Sequence, residues 1–335
     1  MTKALGRVLV TGGAGYIGSH VVHTLLERSA SVVVLDDLSA GTREAVAEGA
    51  ILEVGDAGDR AFTAAVLDRH RCQAVLHFAG FIVNSESVRD PLAYYANIAG
   101  ATRTLLEACV EAGVGTFVYS SSAAVYGAPE RLPVNEDAAL APLAPYGRSK
   151  LAAEWMVRDA ARAHGLDVAV LRYFNVAGAD PAGRAGQSSR NVTHLIKIAC
   201  QAALGLRDGI EIFGDDYDTP DGTCVRDYIH VSDLADAHLA ALDHLGAGGE
   251  SLTLNCGYGQ GASVRDVLAA VERASGRKLD VRIGPRRPGD APTLVADARR
   301  IREAFAWRPR YDELDAIVGS ALAWERRLLE AAESS

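Results

Sequence analysis

Three features predict an α/β chain: an apolar strand that runs into a glycine-rich turn and a helix, further apolar strands alternating with helical stretches, and a break in that alternation near residue 175. The architecture they imply is a Rossmann-type doubly wound parallel sheet followed by a smaller C-terminal α/β substrate domain. A chain of 335 residues is long enough for about two domains. The break divides it into residues 1–175 and 176–335, and a segment near 228–257 is expected to return to the first domain.

The opening element is Val8 to Thr11, followed by Gly12-Gly13-Ala14-Gly15-Tyr16-Ile17-Gly18. Gly13, Gly15 and Gly18 fit G-x-G-x-x-G, and Gly12 adds the register G-x-x-G-x-x-G. A turn of this kind needs positive φ and a bare backbone that a pyrophosphate can approach. The helix behind it offers unpaired N–H groups and a partial positive charge to the same anion. The run Ser31 to Asp36 then ends in an acid 18 residues after Gly18. Asp36 is placed to accept bonds from adenosine ribose hydroxyls and to repel a 2′-phosphate, which favours NAD over NADP.

Ala50 to Asp56, Ala74 to Gly80 and Thr116 to Ser120 are near-continuous apolar strands separated by helical stretches. This is the pattern of a parallel sheet covered on both faces. Ligands bind beyond the carboxyl ends of such strands, which makes Asp56, Phe78, Ala79, Gly80 and Ser120 to Ser122 site candidates. The helices read from Tyr94 to Ala112 and from Gly147 to His164 are apolar over much of their surface, as if the sheet covered one side and a partner subunit another. Leu166 to Phe174 closes the alternation. Ala177 to Arg190 reads as a loop, Val231 to Leu245 as a helix, Ser251 to Asn255 as a strand returning to the first sheet, and Ala331 to Ser335 as a frayed end.

A net charge of −9 gives no reason to expect nucleic acid or an anionic membrane surface as partner. The N-terminus lacks the apolar core of a signal peptide, and no apolar run is long enough to span a bilayer. Cys72, Cys109, Cys200, Cys224 and Cys256 show no C-x-x-C spacing and read as reduced, buried thiols of a cytoplasmic protein.

Tyr146 and Lys150 lie four apart on one face of a helix that starts just after Pro145. A neighbouring ammonium and a positively charged nicotinamide ring would both favour the phenolate. Bringing a phenol from about 10 to about 7 takes roughly 4 kcal/mol of differential interaction.

The set Thr11 to Gly18, Ser122 ahead of Val125-Tyr126-Gly127, and Tyr146-x-x-x-Lys150 resembles the extended short-chain dehydrogenase/reductase family. Within it, Glu86-Ser87-Val88 with Pro91-Leu92-x-Tyr94-Tyr95, Leu171 to Asn175, and Asp221 to Val231 resemble the UDP-glucose (UDP-galactose) 4-epimerases. The resemblance implies a homodimer, one tightly held NAD regenerated in each cycle, and a UDP-hexose inverted at C4 through a transient 4-keto sugar. Tyr146 would take the proton of the 4-hydroxyl, Lys150 would hold the nicotinamide ribose, and Ser122 would bond the sugar oxygen. Gly12, Gly15, Tyr16, Ile17, Gly18, Asp36, Asp56, Ala57, Phe78, Ala79, Gly80, Asn97, Ser120 and Tyr173 would complete the cofactor site. Asn175, His194, Leu195, Phe213, Arg226, Arg287, Asp290 and Leu294 would contact the nucleotide sugar, with the two arginines on the diphosphate.

Sugar-nucleotide dehydratases of the same family carry Asp-Glu just after the serine or threonine, and here those positions are Ala123 and Ala124. Without an eliminating acid/base pair, dehydration has no partner in this chain. Ile82, Ala124 and Leu294 depart from common epimerase residues, and a leucine at 294 leaves room for UDP-GlcNAc. Arg184 and Arg190 could meet a C6 carboxylate, which would give a UDP-glucuronate/UDP-galacturonate epimerase. A different class of protein, an inactive NAD-binding regulator, would be expected to have lost the Ser122/Tyr146/Lys150 set. His20 with His23, and Asp215, Asp216, Asp218 and Asp221, have metal-like spacing but lack further ligands, and no metal is expected.

Overall fold

The computed structural model describes residues 6–188, 193–287 and 289–333. The chain opens with β1 (Val8–Thr11), α1 (Tyr16–Glu27), β2 (Val32–Asp36), β3 (Ile51–Val54), α2 (Arg60–His70) and β4 (Ala74–His77). Then come α3 (Asn84–Arg89), α4 (Pro91–Tyr94), a π-helical turn over Tyr95–Gly100, and α5 (Ala101–Glu111). β5 (Thr116–Ser122), α6 (Pro145–His164), β6 (Asp167–Tyr173) and β7 (Asn175–Ala177) follow. The remaining elements are α7 (Leu195–Ala203), β8 (Ile210–Phe213), β9 (Val225–His230), α8 (Val231–Gly246), β10 (Leu252–Cys256), β11 (Gly261–Ser263), α9 (Val264–Ser275), β12 (Val281–Gly284), β13 (Thr293–Leu294), α10 (Arg299–Phe305) and α11 (Leu314–Glu333).

Seven parallel strands form the main sheet in the order β10-β6-β5-β4-β1-β2-β3. Because both faces are covered, every residue of β1, β2 and β4 is buried, which explains their unbroken apolar runs. Successive residues still face opposite ways: Val8, Val10 and Val34 join the core under α1 and α8, while Leu9, Val33 and Leu35 join the one under α5 and α6. Strand order reverses at β1, which pairs with β2 on one side and β4 on the other. The crevice of a doubly wound sheet opens at that reversal, beyond the carboxyl ends of β1 and β4.

β10 returns from the C-terminal half and pairs with β6 from Leu252 opposite Ala169 to Cys256 opposite Tyr173. Outside this sheet, β7, β11 and β13 pair with β9, and β12 pairs with β8. Four details differ from the sequence reading. β5 continues to Ser122, making that serine the strand's last residue. The helix expected from Tyr94 is interrupted by the π turn, which carries Asn97. α6 begins at Pro145 rather than Gly147, with proline pre-shaped for the first helical position. Of the frayed end expected over Ala331 to Ser335, residues 331–333 are instead helical, because Leu322 and Glu325 anchor α11 in the interior, and Ser334 and Ser335 lie outside the described residues. Among the described residues, no helix is long and apolar enough to cross a membrane.

Candidate active site

The glycine turn is built by close approach. Gly12 adopts φ +71°, and a Cβ there would lie 2.6 Å from the Ala79 amide nitrogen. A Cβ on Gly18 would lie 2.2 Å from the Gly12 carbonyl oxygen. Gly12 N–H donates to Leu35 O (2.9 Å) and Gly15 N–H to Gly12 O (3.1 Å), which folds the turn over the ends of β1 and β2. α1 starts at Tyr16, and the amides of its first turn, Ile17 and Gly18 included, have no preceding helical carbonyl to bond. The Asp36 carboxylate accepts from Ala14 N–H and Leu38 N–H at 2.9 Å each. Burial pushes its pKa up, and those two amides oppose the shift. A bare cradle, a helix N-terminus and a carboxylate at the end of β2 suit a dinucleotide's pyrophosphate and ribose. Asp56 is exposed beyond β3 and accepts from Gly58 N–H (2.7 Å), with Ala57 buried beside it. The Tyr16 phenol is tied to the second half of the chain, donating to Gly178 O at 2.7 Å.

Beyond β4, His77 is buried between two threonines. Thr102 gives its own proton to Ile98 O (2.7 Å), so His77 Nε2–H donates to Thr102 Oγ1 (3.0 Å). His77 Nδ1 is therefore free to accept from Thr11 Oγ1 (2.7 Å). Burial holds this histidine neutral, at about 3. The chain of bonds locks β1 to β4 and to the helix after the π turn, and so fixes Phe78, Ala79 and Gly80 against Gly12. Asn97 Oδ1 on the π turn accepts from Phe81 N–H (2.7 Å), which shapes the loop after Gly80. No sequence signal beyond position singled out His77.

The structure brings Ser122, Tyr146 and Lys150 together at the end of β5. Ser122 Oγ accepts from Ala124 N–H (3.2 Å) and caps the short turn Ala123–Val125. Lys150 Nζ donates to Ser120 O (2.8 Å) and lies 5.1 Å from the centre of the Tyr119 ring. Burial lowers the Lys150 ammonium to about 8, and the Glu154 carboxylate opposes that shift. The Tyr146 phenol is raised, not lowered: burial outweighs the help of the Ser122 hydroxyl. In the protein alone desolvation of the phenolate dominates, whereas the lowering expected from the sequence joined the Lys150 ammonium to a cationic nicotinamide ring. The Tyr173 hydroxyl is tied to His238 Nε2, whose Nδ1–H donates to Leu234 O, so Tyr173 offers its ring and not its oxygen.

The candidates for the nucleotide-sugar end fall into three groups. Asn175, His194 and Leu195 line one cavity with Gln187, Tyr228 and Trp324. The half-exposed Phe213 ring lies under the Arg287 guanidinium at 5.1 Å, and Arg287 Nε bonds Asp290 (3.0 Å). Arg226 pairs in register with Leu294 and donates to Val225 O (2.9 Å). Arg184 does not belong to them: it bonds both Asp180 oxygens (2.8 Å each) and Glu27 at the far end of α1 (2.5 Å). Two carboxylates already satisfy its guanidinium, which removes it as a receptor for a uronate. Arg190 lies outside the described residues. The acidic run is likewise engaged internally, with Asp216 on Arg286 and Asp221 on Thr223 and Ser263.

A doubly wound sheet with a glycine cradle at its reversal point, and a serine, tyrosine and lysine gathered beside it, defines a dinucleotide-dependent enzyme of the Rossmann class. The chain belongs to the NAD dependent epimerase/dehydratase family, whose model matches residues 8–257. It is 59% identical to the UDP-glucose 4-epimerase of Azospirillum brasilense, over 98% of this chain and 94% of that one. The crystal structure of UDP-glucose 4-epimerase from Brucella ovis in complex with NAD superposes with a TM-score of 0.92 at 44% identity, covering 95% of this chain and 98% of that one. The UDP-Glc/GlcNAc 4-epimerase of Campylobacter jejuni superposes with a TM-score of 0.84 at 44% identity, covering 96% and 99%.

Proposed function

We propose that this protein is an isomerase, an NAD-dependent 4-epimerase that interconverts UDP-glucose and UDP-galactose. The observation that carries the reading is the gathering of Ser122, Tyr146 and Lys150 beside the glycine cradle, with Ala123 and Ala124 where a dehydratase needs carboxylates. Residues 1–175, with the returning segment near 228–257, would seat the cofactor, and the rest would hold the nucleotide sugar. Bound NAD supplies a cationic ring that accepts hydride from C4 and returns it, by way of a 4-keto sugar.

The chain's own residues handle the proton and the geometry. Tyr146 takes the proton of the 4-hydroxyl and restores it, Ser122 bonds the same oxygen, and Lys150, anchored on Ser120 O, presents its ammonium to the phenol and the ribose. Gly12, Gly15, Tyr16, Ile17, Gly18, Asp36, Asp56, Ala57 and the Phe78–Gly80 segment cradle the dinucleotide, with Asn97, Ser120 and Tyr173 beside its nicotinamide end. Asn175, His194, Leu195, Phe213, Arg226, Arg287 and Asp290 grip UDP, and Leu294 borders the hexose. A cofactor restored in each cycle has no need to leave, which suits a tightly held group.

Exposed Val88, Leu92, Tyr95 and Trp155 on α3 to α6 support a homodimer. The five cysteines, all buried and unpaired, support a place in the reducing cytoplasm.

Leu294 favours a second reading, in which the N-acetyl sugars UDP-GlcNAc and UDP-GalNAc are also turned over. The test is a panel of UDP-galactose, UDP-GlcNAc and UDP-glucuronate offered to purified protein whose bound NAD has been quantified. Interconversion of UDP-galactose and UDP-glucose is expected, and bound NAD without turnover of any UDP-sugar would overturn the assignment. Tyr146→Phe should keep its NAD and lose about 10²-fold or more of kcat.

A further inference from the structure

Glu154 stands on α6 four residues after Lys150 and eight after Tyr146, so the three share one helical face. Its side chain is fully buried beneath the site. Oε1 accepts from Ser121 Oγ (2.5 Å) and Arg172 Nε (2.9 Å), and Oε2 accepts from Arg172 Nη2 (2.8 Å) and Arg158 Nη2 (2.7 Å). Alternation along the strands explains the meeting. Phe117, Tyr119 and Ser121 of β5 and Val168, Val170 and Arg172 of β6 all face α6. Arg172 carries the brace further, with Nη1 on Tyr126 OH (2.9 Å) and that hydroxyl on Asn255 Oδ1 of β10 (2.6 Å).

One carboxylate thus joins the helix that bears Tyr146 and Lys150 to the strand that bears Ser120 and Ser122. Buried ion clusters are often no more stabilising than well-packed apolar side chains of similar volume, so stability alone is a weak account of this one. We propose that Glu154 is a positioning residue, which sets Ser122 against Tyr146 by clamping Ser121 and, one helical turn after Lys150, serves as the counter-charge of its ammonium. The proposal rests on the reading of Ser122, Tyr146 and Lys150 as the reacting set.

The Tyr119 ring, neutral His77 and Glu154 are the groups that act on the Lys150 ammonium; Tyr146 lies one turn before it on α6, and Arg158 and Arg172 are held on Glu154. Glu154 is the group that opposes the loss of charge Lys150 suffers on burial.

The test pairs Ser121→Ala with Glu154→Gln in the NAD-loaded protein. Ser121→Ala leaves both arginine pairs in place and should fold with full NAD content. Its kcat should fall about tenfold with KM unchanged, since a misplacement of an ångström at a reacting pair is worth up to ~10²-fold. In Glu154→Gln the basic limb of the kcat–pH profile should move to lower pH. The charge is also read without turnover: the only lysines are Lys3, Lys150, Lys197 and Lys278, so a ¹⁵N-lysine NMR titration can follow Lys150 Nζ directly. That titration should shift down in Glu154→Gln whether or not the wild type epimerises UDP-galactose, which separates this proposal from the functional assignment. A Ser121→Ala kcat equal to wild type overturns the proposal, as does a folded Glu154→Gln with an unmoved Lys150 titration. If Glu154→Gln does not fold, Ser121→Ala decides alone.

Discussion

Gly18→Ala should cost this protein its cofactor before it costs its fold. The added methyl would sit 2.2 Å from Gly12 O and must retreat to at least 3.0 Å, a move of 0.8 Å. It cannot turn aside, because the obstacle is backbone and Gly13 Cα lies 2.9 Å away on the same side. Either α1 lifts from the turn or the turn moves into the space the pyrophosphate requires. Overpacking against a rigid neighbour typically costs about 1–3 kcal/mol. If that strain is relieved when the site is empty, it appears as an affinity loss of roughly 10- to 100-fold. The assay is release and quantification of bound nucleotide, followed by titration of stripped protein with NAD. Gly165→Ala is the control, at the end of α6, where φ is +71° but a methyl meets nothing within 4 Å. It should lose about 1 kcal/mol of stability and bind NAD normally. Wild-type NAD content and affinity in Gly18→Ala would refute the reading of the turn as a close-approach cradle.

Acidification should destabilise the fold through its buried histidines. Burial holds His20, His194, His230 and His238 at about 4 and His77 at about 3. An unfolded histidine titrates near 6.5, so between these values the unfolded state binds the extra protons and stability falls as pH falls. Each site contributes up to about 1.4 kcal/mol per pH unit in that window, while Asp36, Asp227 and Glu136, raised by burial, act in the opposite sense at its acid end. The urea midpoint should therefore drop steadily from pH 7 to pH 5, and a flat profile would count against neutral burial. Arg184→Ala should leave kcat for UDP-galactose within about twofold, because its partners are Asp180 and Glu27 and not the site; a large loss in turnover assays would contradict that placement. Gly319→Ala, inside α11 with nothing within 4 Å of the new methyl, should raise stability by roughly 0.5–1 kcal/mol, read as a higher Tm.

The close-packed glycine turn was legible in the sequence because backbone geometry dictates it. Gly12 and Gly18 are required by contacts of under 3 Å, and no other residue type fits there. Asp36 stands where β2 ends, a position that strand length and the following turn determine. The parallel sheet was legible for a similar reason at its centre, since full burial leaves an apolar run at β1, β2 and β4; the edge strand β3 is apolar too but half exposed, with Ile51 and Val54 facing outward. Glu154 and Arg172 were not legible. An acid on an amphipathic helix and an arginine in a strand read as surface charges until the register of β5 and β6 brings them together. Nor could spacing give the sign of the Tyr146 shift. A nearby ammonium and burial act on a phenol in opposite directions, and only the depth of the pocket decides between them. Arg184 failed for want of one long-range fact, that Glu27 at the end of α1 lies within its reach.

The two ends of the site are built in different ways, and on the epimerase reading the difference bears on the chemistry. Backbone amides, close-packed glycines and the buried bonds of His77 hold the cofactor end, and none of these can adjust without moving the sheet. Next to Ser122 in the chain stand Ala123 and Ala124, and Leu294 packs against the cluster that holds Ala123, so none of these neighbours has a side-chain hydrogen-bonding atom. On that reading a hexose there would find Ser122 and Tyr146 as its polar partners, while Arg226 and Arg287 would take the diphosphate. Epimerisation at C4 requires the sugar to present both faces to one fixed hydride position, so a firm grip on the hexose would trap it on one face. Polar groups concentrated on the nucleotide, with an apolar wall at the sugar, would let the ring turn about its diphosphate link while UDP stays seated. The same wall would set few hydrogen-bond requirements on the sugar's substituents, so on the epimerase reading an N-acetyl group at Leu294 should be tolerated, and turnover of UDP-GlcNAc beside UDP-galactose checks it.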